Sequence, residues 1–139
     1  MGITARLLGA VCVAGLMALA PAGHAQDEHE TTTTRHELRF AKGRTSATVK
    51  GTIAYDQRHE WHFKARPGQR ATVRLETEDP DAYFDMYVEA GFEAVAVTPE
   101  GEKVKGEWSG VLAKGGNDYD VHVMTDGSGG PYTLTVEIR

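Results

Sequence analysis

Apolar and polar residues alternate along most of the chain after Arg35, and this period of two predicts β-strands. The alternating apolar sets are Leu38 and Phe40; Ala47, Val49, Gly51 and Ile53; Trp61, Phe63 and Ala65; Ala71, Val73 and Leu75; Phe84, Met86 and Val88; Trp108 and Leu112; Tyr119, Val121 and Val123; and Tyr132, Leu134, Val136 and Ile138. Residues 92–97 instead form a continuous apolar-rich run, which is typical of a strand buried on both faces. After Gln26 no segment offers ten residues with helical spacing, so the pattern predicts about nine short strands.

Turn-forming residues separate these segments. They are Lys42-Gly43, Pro67-Gly68, Asp79-Pro80-Asp81, Pro99-Glu100-Gly101, Gly115-Gly116-Asn117 and residues 126–131. Regular strands joined by turns predict an all-β fold, an antiparallel β-sandwich of jelly-roll-like type with about eight to nine strands. The polar residues between the apolar ones are expected to face water, among them Arg74, Glu76, His122 and Glu137.

The N-terminal residues follow the three-part plan of a secretory signal peptide. Arg6 precedes fourteen uncharged residues, and small residues lead to a cleavage site predicted after Ala25, with Ala22 as the next choice. A helix of that length spans roughly 21 Å, which is short of the ~30 Å hydrocarbon core, so we expect no membrane span after signal removal. The predicted organisation is a signal peptide at 1–25, a disordered polar leader at 26–34 and one β-sandwich domain at 35–139.

Cleavage after Ala25 would remove the single cysteine, Cys12, together with Arg6. Residues 26–139 then hold fourteen Lys and Arg against twenty Asp and Glu, which gives a formal charge of −6 and no disulfide or thiol chemistry. The negative charge argues against nucleic-acid binding and favours encounter with a cationic partner. A signal peptide specifies only export, so the choice between the periplasm and full secretion stays open on this ground.

The residues that carry catalysis or bind metals form no complete motif. Ser109 lacks the flanking glycine of a nucleophile elbow. His62 and His122 are expected to meet on one outward face, but two imidazoles do not complete a tetrahedral metal site. Asp79, Asp81 and Asp85 offer oxygen ligands for a weak calcium site, although the EF-hand loop pattern is missing. The sequence therefore predicts a binding protein and not an enzyme, with no cofactor.

Several segments carry a resemblance that covers nearly the whole domain. They are FAKGRTSATVKGTI at 40–53, Tyr55-Asp56, WHFKARPGQ at 61–69, Asp81-Ala82-Tyr83, LAKGG at 112–116 and YTLTVEI at 132–138. Together they resemble the periplasmic inhibitors of goose-type (g-type) lysozyme and, more distantly, the pre-peptidase C-terminal β-sandwich domains of secreted enzymes. A domain that stands alone behind a signal peptide favours the inhibitor. The resemblance then implies a periplasmic location, with full secretion as the alternative.

The resemblance implies a β-sandwich that inserts surface loops into the active-site cleft of a host lysozyme. One such loop corresponds to residues 54–59, and the partner-binding residues that it implies are Tyr55, Asp56, Arg58 and His59. Tyrosine is a rigid aromatic anchor of a type common at interface hot spots, and arginine offers a fork of donors to a carboxylate. The chain departs from the family in residues 125–131, which contain no basic residue.

Two non-enzymatic functions stay open at this point, and a hydrolase is a third hypothesis with no motif behind it. The first is an exported inhibitor of a host lysozyme, or of another cationic cell-wall hydrolase, that acts through surface loops. The second is a non-enzymatic glycan- or calcium-binding module of the cell envelope, to which the acidic residues 79–85 and the aromatic Tyr83 and Tyr87 would contribute. Stoichiometric inhibition without turnover favours the first, and calcium dependence favours the second.

Overall fold

The computed structural model describes residues 30–112 and 115–139. The regular elements of this part of the chain are nine strands: β1 (Thr32–Glu37), β2 (Ser46–Ile53), β3 (Gln57–Lys64), β4 (Arg70–Thr77), β5 (Ala82–Ala90), β6 (Glu93–Ala96), β7 (Glu107–Val111), β8 (Asp118–Thr125) and β9 (Gly130–Ile138). The predicted all-β class is confirmed. Within the described residues no helix is long and apolar enough to cross a membrane. The predicted signal peptide and residues 26–29 of the predicted leader lie outside the described residues.

The strands form two sheets in jelly-roll order. One sheet runs β1-β3-β8-β5-β6 and the other runs β2-β9-β4-β7. From β2 onward each connection crosses between the sheets, apart from the β5–β6 hairpin, as in the double Greek key of a jelly roll. Neighbouring strands are antiparallel except β1, which pairs in parallel with β3 at a sheet edge. The predicted jelly-roll-like sandwich is therefore confirmed, with one added edge strand.

The core lies between the sheets and is built from the alternating apolar residues that the sequence predicts. Its largest fully buried side chains include Ile53, Phe63, Phe84, Met86, Leu112 and Tyr119. The rings of Phe63 and Tyr119 stack with their centroids 5.5 Å apart. Each such side chain stabilises the fold by about 1.5–3 kcal/mol through removal of apolar surface from water.

A polar network inside the sandwich links the two sheets through Tyr132. Its hydroxyl accepts a hydrogen bond from Trp61 Nε1 at 2.9 Å and also bonds with His59 Nδ1 at 2.7 Å. The Tyr132 ring lies across Gly51, where a Cβ atom would stand 2.6 Å from the hydroxyl oxygen. Glycine in the alternating pattern of β2 therefore makes room for the tyrosine of the neighbouring strand.

The strand at residues 93–96 corrects one prediction. β6 is a short edge strand whose residues are mostly exposed, with Val95 47% exposed and Phe92 projecting fully into solvent. The prediction of a strand buried on both faces is wrong. An apolar run indicates a buried strand only when a second layer covers it, and here the run follows the β5–β6 turn at the sheet edge, where Gly91 adopts φ 70°.

Strand β1 contradicts part of a second prediction, that residues 26–34 form a disordered leader. Thr32, Thr33 and Thr34 belong to β1 and pair with Gln57, Arg58 and His59 of β3. The prediction of a disordered leader is wrong for these three residues. Their polar, low-complexity composition suggested disorder, but threonine also suits a strand, and the open edge of β3 supplies the backbone hydrogen bonds.

Candidate functional site

One end of the sandwich gathers the turn between β2 and β3, the start of β5 and the end of β8. The start of β1 joins them, because the Thr32 amide donates a hydrogen bond to the Asp56 carbonyl oxygen at 2.8 Å. A groove of about 230 Å³ opens between these segments. Its lining residues are Thr31, Tyr55, Asp56, Gln57, Arg58, Tyr83, Met124, Thr125 and Asp126. Three of the four predicted partner-binding residues therefore lie together.

The turn at 54–56 presents Tyr55 at its tip. The Gln57 amide donates to the Ala54 carbonyl oxygen at 3.0 Å and closes the turn, while Tyr55 is 58% exposed. The β8–β9 loop passes directly beneath, since a Cβ atom on Gly129 would stand 2.1 Å from the Ile53 carbonyl oxygen. Gly129 also has φ 79°, a conformation that favours glycine. The two loops therefore support each other.

Arg58 and His59 are neighbours in β3 and so face opposite sides of the sheet. Arg58 lines the groove, and its Nε is buried without a hydrogen-bond partner among the described residues. His59 bonds with the Tyr132 hydroxyl, and burial, together with the charge of His36, lowers the pKa of His59. His59 thus supports the loop from the interior and does not line the groove.

Tyr83 and Met124 extend the floor of the groove across the sheet. Tyr83 pairs with Met124 in the ladder between β5 and β8, and its hydroxyl donates to the Met124 sulfur at 3.9 Å. The segment between β6 and β7 brings Lys103 over this floor, with Nζ 4.9 Å from the Tyr83 ring centroid. Lys103 also forms an ion pair with Asp126 of the β8–β9 loop. Lys103 was not predicted from the sequence, because nothing in the local pattern indicates where this segment folds.

Asp79, predicted as a calcium ligand, is a structural acceptor at this end. One of its oxygens accepts hydrogen bonds from the Thr125 hydroxyl at 2.5 Å and the Gly129 amide at 3.0 Å. The other accepts from the Asp81 amide at 2.9 Å. These bonds, that of Thr125 foremost, lower the pKa of Asp79, whose residue is only 7% exposed. Asp79 therefore fixes the β8–β9 loop to the turn before β5.

The other two predicted calcium ligands, Asp81 and Asp85, contact different groups. Asp81 lies next to Asp79 and forms an ion pair with Lys105 at 3.8 Å. Asp85 lies on the outer face of β5, where its Oδ1 is 3.0 Å from His122 Nδ1. Within residues 30–112 and 115–139 no group of three His, Cys, Asp or Glu side chains is arranged to hold a metal ion.

The two histidines predicted to share an outward face do lie on the outer face of the five-stranded sheet, where each contacts carboxylates. His122 has Glu60 Oε1 at 3.7 Å from its Nε2. His62 has Asp120 Oδ1 at 3.0 Å from Nδ1 and Asp118 Oδ1 at 3.2 Å from Nε2. Burial lowers the pKa of His62, but the hydrogen bonds and charges of Asp120 and Asp118 outweigh it, so the pKa lies above its usual value. These contacts connect neighbouring strands and form no part of the groove.

No protein-family model matches the chain, and no curated protein matches it. Solved structures do match. The periplasmic g-type lysozyme inhibitor PliG of Aeromonas hydrophila aligns with a TM-score of 0.61 at 22% identity, over 78% of this chain and 98% of that one. PliG of Salmonella Typhimurium aligns with a TM-score of 0.56 at 19% identity, over 76% and 98%. A mutant of Escherichia coli PliG aligns with a TM-score of 0.55 at 24% identity, over 78% and 99%.

The likeness establishes the fold. Because the alignments cover 98–99% of each inhibitor chain, the sandwich corresponds to a whole domain of that type and not to a fragment of one. The similarity in fold that the sequence segments indicated is confirmed.

Proposed function

We propose that this chain is an exported, periplasmic inhibitor of a g-type-like lysozyme, which binds its target without catalysing a reaction. The observation that carries the proposal is that the exposed Tyr55 and Arg58 line the same groove at one end of the sandwich. The fold of solved g-type lysozyme inhibitors supports it, since they align over nearly their full length.

Arg58 provides the charge that such an inhibitor needs. Glycoside hydrolases generally carry Asp or Glu side chains in the cleft as acid, base or nucleophile. A guanidinium pairs with a carboxylate through two parallel hydrogen bonds. Arg58 lines the groove and is half-buried, so a carboxylate that enters the groove would meet a guanidinium that is already partly desolvated.

Tyr55 provides the apolar contact and the steric block. Its ring stands at the tip of a closed turn and has two rotatable side-chain bonds, so burying it in a cleft removes much surface from water at a small entropic cost. A ring in the cleft also occupies space that a glycan would take. In this proposal Asp56 acts through its backbone, which holds β1, and His59 acts as the interior support of the loop.

The surrounding loops favour tight binding because they are already ordered. Asp79 fixes the β8–β9 loop, and Gly129 packs that loop against the end of β2. A surface held in its bound conformation loses less conformational entropy on association. The formal charge of −6 for residues 26–139 would in addition speed encounter with a cationic enzyme.

The test is inhibition of g-type and chicken-type lysozymes by purified protein comprising residues 26–139. We expect near-stoichiometric inhibition of a g-type enzyme. The double variant Tyr55→Ala, Arg58→Ala should raise the inhibition constant about 100-fold or more, since truncating a hot-spot residue costs about 2 kcal/mol or more.

A matched control removes one aromatic residue and one arginine at the opposite end of the sandwich. Phe92→Ala with Arg66→Ala removes an exposed aromatic ring and an exposed arginine from the β5–β6 turn and the β3–β4 turn. This control should inhibit like the unmodified protein. Absence of inhibition at micromolar protein, or equal losses in the two double variants, would argue against the proposal.

The glycan- or calcium-binding alternative has less support. Asp79 already accepts three hydrogen bonds within the protein, and Asp85 lies beside His122 on the outer face of β5, away from the other two carboxylates. Tyr87 stacks on the His122 ring with the centroids 5.2 Å apart, so its exposed face is limited.

A further inference from the structure

We propose that Lys103, standing over Tyr83, is a second cationic contact of the same interface and binds a carboxylate of the partner's cleft. The inference rests on the proposed function and adds to it a residue from a separate loop. It concerns the part of the surface formed by the β6–β7 segment and the β8–β9 loop, beyond the turn that carries Tyr55.

The position of Lys103 is fixed by its backbone neighbour. Val104 and Phe84 exchange two backbone hydrogen bonds, each 3.0 Å long, so the segment after β6 is pinned to the start of β5. This bridge brings the Lys103 ammonium over the Tyr83 ring, at 4.9 Å from its centroid. Tyr83 in turn lines the same groove as Tyr55 and Arg58. A partner that reached Tyr55 and the groove floor would therefore meet Lys103.

The ammonium keeps binding capacity in this position. Its ion pair with Asp126 uses one direction, whereas an ammonium group has three donors. The Lys103 side chain is 51% exposed, and the ring of Tyr83 beneath it stabilises positive charge at the groove edge. Lys103 is therefore a cation held in place and open to solvent on its outer side.

The charge of the β8–β9 loop gives this cation a role. Asp126 is the sole charged residue of positions 125–131, and it lines the groove. Facing the carboxylates of a hydrolase cleft, an unpaired Asp126 would be repelled, because like charges brought together at an interface are unfavourable. Lys103 neutralises Asp126 and adds donors for the incoming carboxylate. The absence of a basic residue from the loop's own sequence is thus offset by a residue 23 positions earlier.

A purely structural role for Lys103 predicts a different result from an interface role. If the ion pair served only to hold the β8–β9 loop, removing either partner would loosen the loop, and both changes would weaken inhibition alike. If Lys103 contacts the partner, removing Asp126 instead releases its ammonium and removes a repelling charge.

The experiment compares Lys103→Met and Asp126→Asn in the 26–139 protein by their inhibition constants for the g-type lysozyme. We expect Lys103→Met to weaken inhibition about tenfold or more, as for loss of a charged hydrogen bond, and Asp126→Asn to leave it as strong or tighten it. Lys105→Met is the matched control, since Lys105 pairs with Asp81 outside the groove and should inhibit normally. Melting curves of all three variants check the fold.

Three results would overturn the inference. Two of these results leave the proposed function standing, because in both the unmodified protein inhibits and the double variant Tyr55→Ala, Arg58→Ala does not. The inference fails there if Lys103→Met stays within twofold of the unmodified protein, or if Asp126→Asn weakens inhibition as much as Lys103→Met does. If the unmodified protein does not inhibit any lysozyme, the proposed function and this inference fail together.

Discussion

Replacing Tyr132 with phenylalanine should lower the free energy of unfolding by about 2–4 kcal/mol. The change deletes one oxygen atom and keeps the ring that fills the space over Gly51, so no large cavity forms. Trp61 Nε1, on a residue that is 8% exposed, then loses its acceptor at 2.9 Å. A buried donor left without a partner costs about 1–3 kcal/mol. The lost bond to the half-buried His59 adds about 0.5–1.5 kcal/mol, because water can reach that ring.

The assay is urea unfolding of the 26–139 protein at pH 7, followed by circular dichroism, with a thermal melt alongside. Tyr132→Phe should lower the midpoint temperature by roughly 8 °C or more. Tyr87→Phe makes the same chemical change on the outer face of β5, beside His122, and should cost less than about 0.5 kcal/mol. A loss below about 1 kcal/mol for Tyr132→Phe, or equal losses for the two variants, would show that the hydroxyl does not connect the sheets energetically.

Three further predictions concern Asp79, calcium binding and His62. Asp79→Asn sets an amide NH₂ against groups that donate, so the melting temperature and the strength of inhibition should both fall, and an unchanged melt would contradict this assignment. For the same reason, added calcium chloride should leave the melting temperature of the unmodified protein unchanged, and a specific rise that magnesium does not reproduce would contradict it. The folded pKa of His62 is raised, so its contribution to stability is complete below the unfolded value of 6.5 and is lost as pH rises through the folded value. Unfolding measured from pH 5 to 8 should show this loss for the unmodified protein and not for His62→Gln, whereas identical pH profiles would refute it.

The core of this fold was predictable because the alternation that identifies its buried residues lies within the sequence of each strand. A period of two marks one face of each strand, and strands β8 and β9 keep it over most of their length. Residues such as Val121 and Leu134 are buried as the pattern predicts. The run at 92–97 shows the limit of this reasoning, because its burial depends on whether another layer lies above it. The pairing of Thr32–Glu37 with β3 was likewise invisible, since a parallel edge pairing depends on a strand 25 residues further along the chain.

The candidate site was predictable only in part for the same reason. Tyr55 and Arg58 lie in one short turn and strand start, so a resemblance over that segment is enough to indicate them. Asp79 was assigned to a metal because carboxylate content alone does not reveal that Thr125 and Gly129 supply its donors. Lys103 depends on a backbone bridge between distant segments and leaves no pattern in its own neighbourhood.

The parallel pairing of β1 with β3 places the first described residues of the chain at the end of the sandwich that carries the groove. β1 begins beside Gln57 at the groove, and Thr31 is part of the groove lining. β9 begins at the same end and runs away from it, so that Arg139 pairs with Arg70 at the far end of the sandwich. An affinity tag or fluorescent label fused ahead of residue 30 is therefore joined next to the surface on which a partner would dock. The same label fused after Arg139 is joined at the opposite pole, which makes the carboxyl terminus the proper attachment point for immobilising the protein in a binding assay.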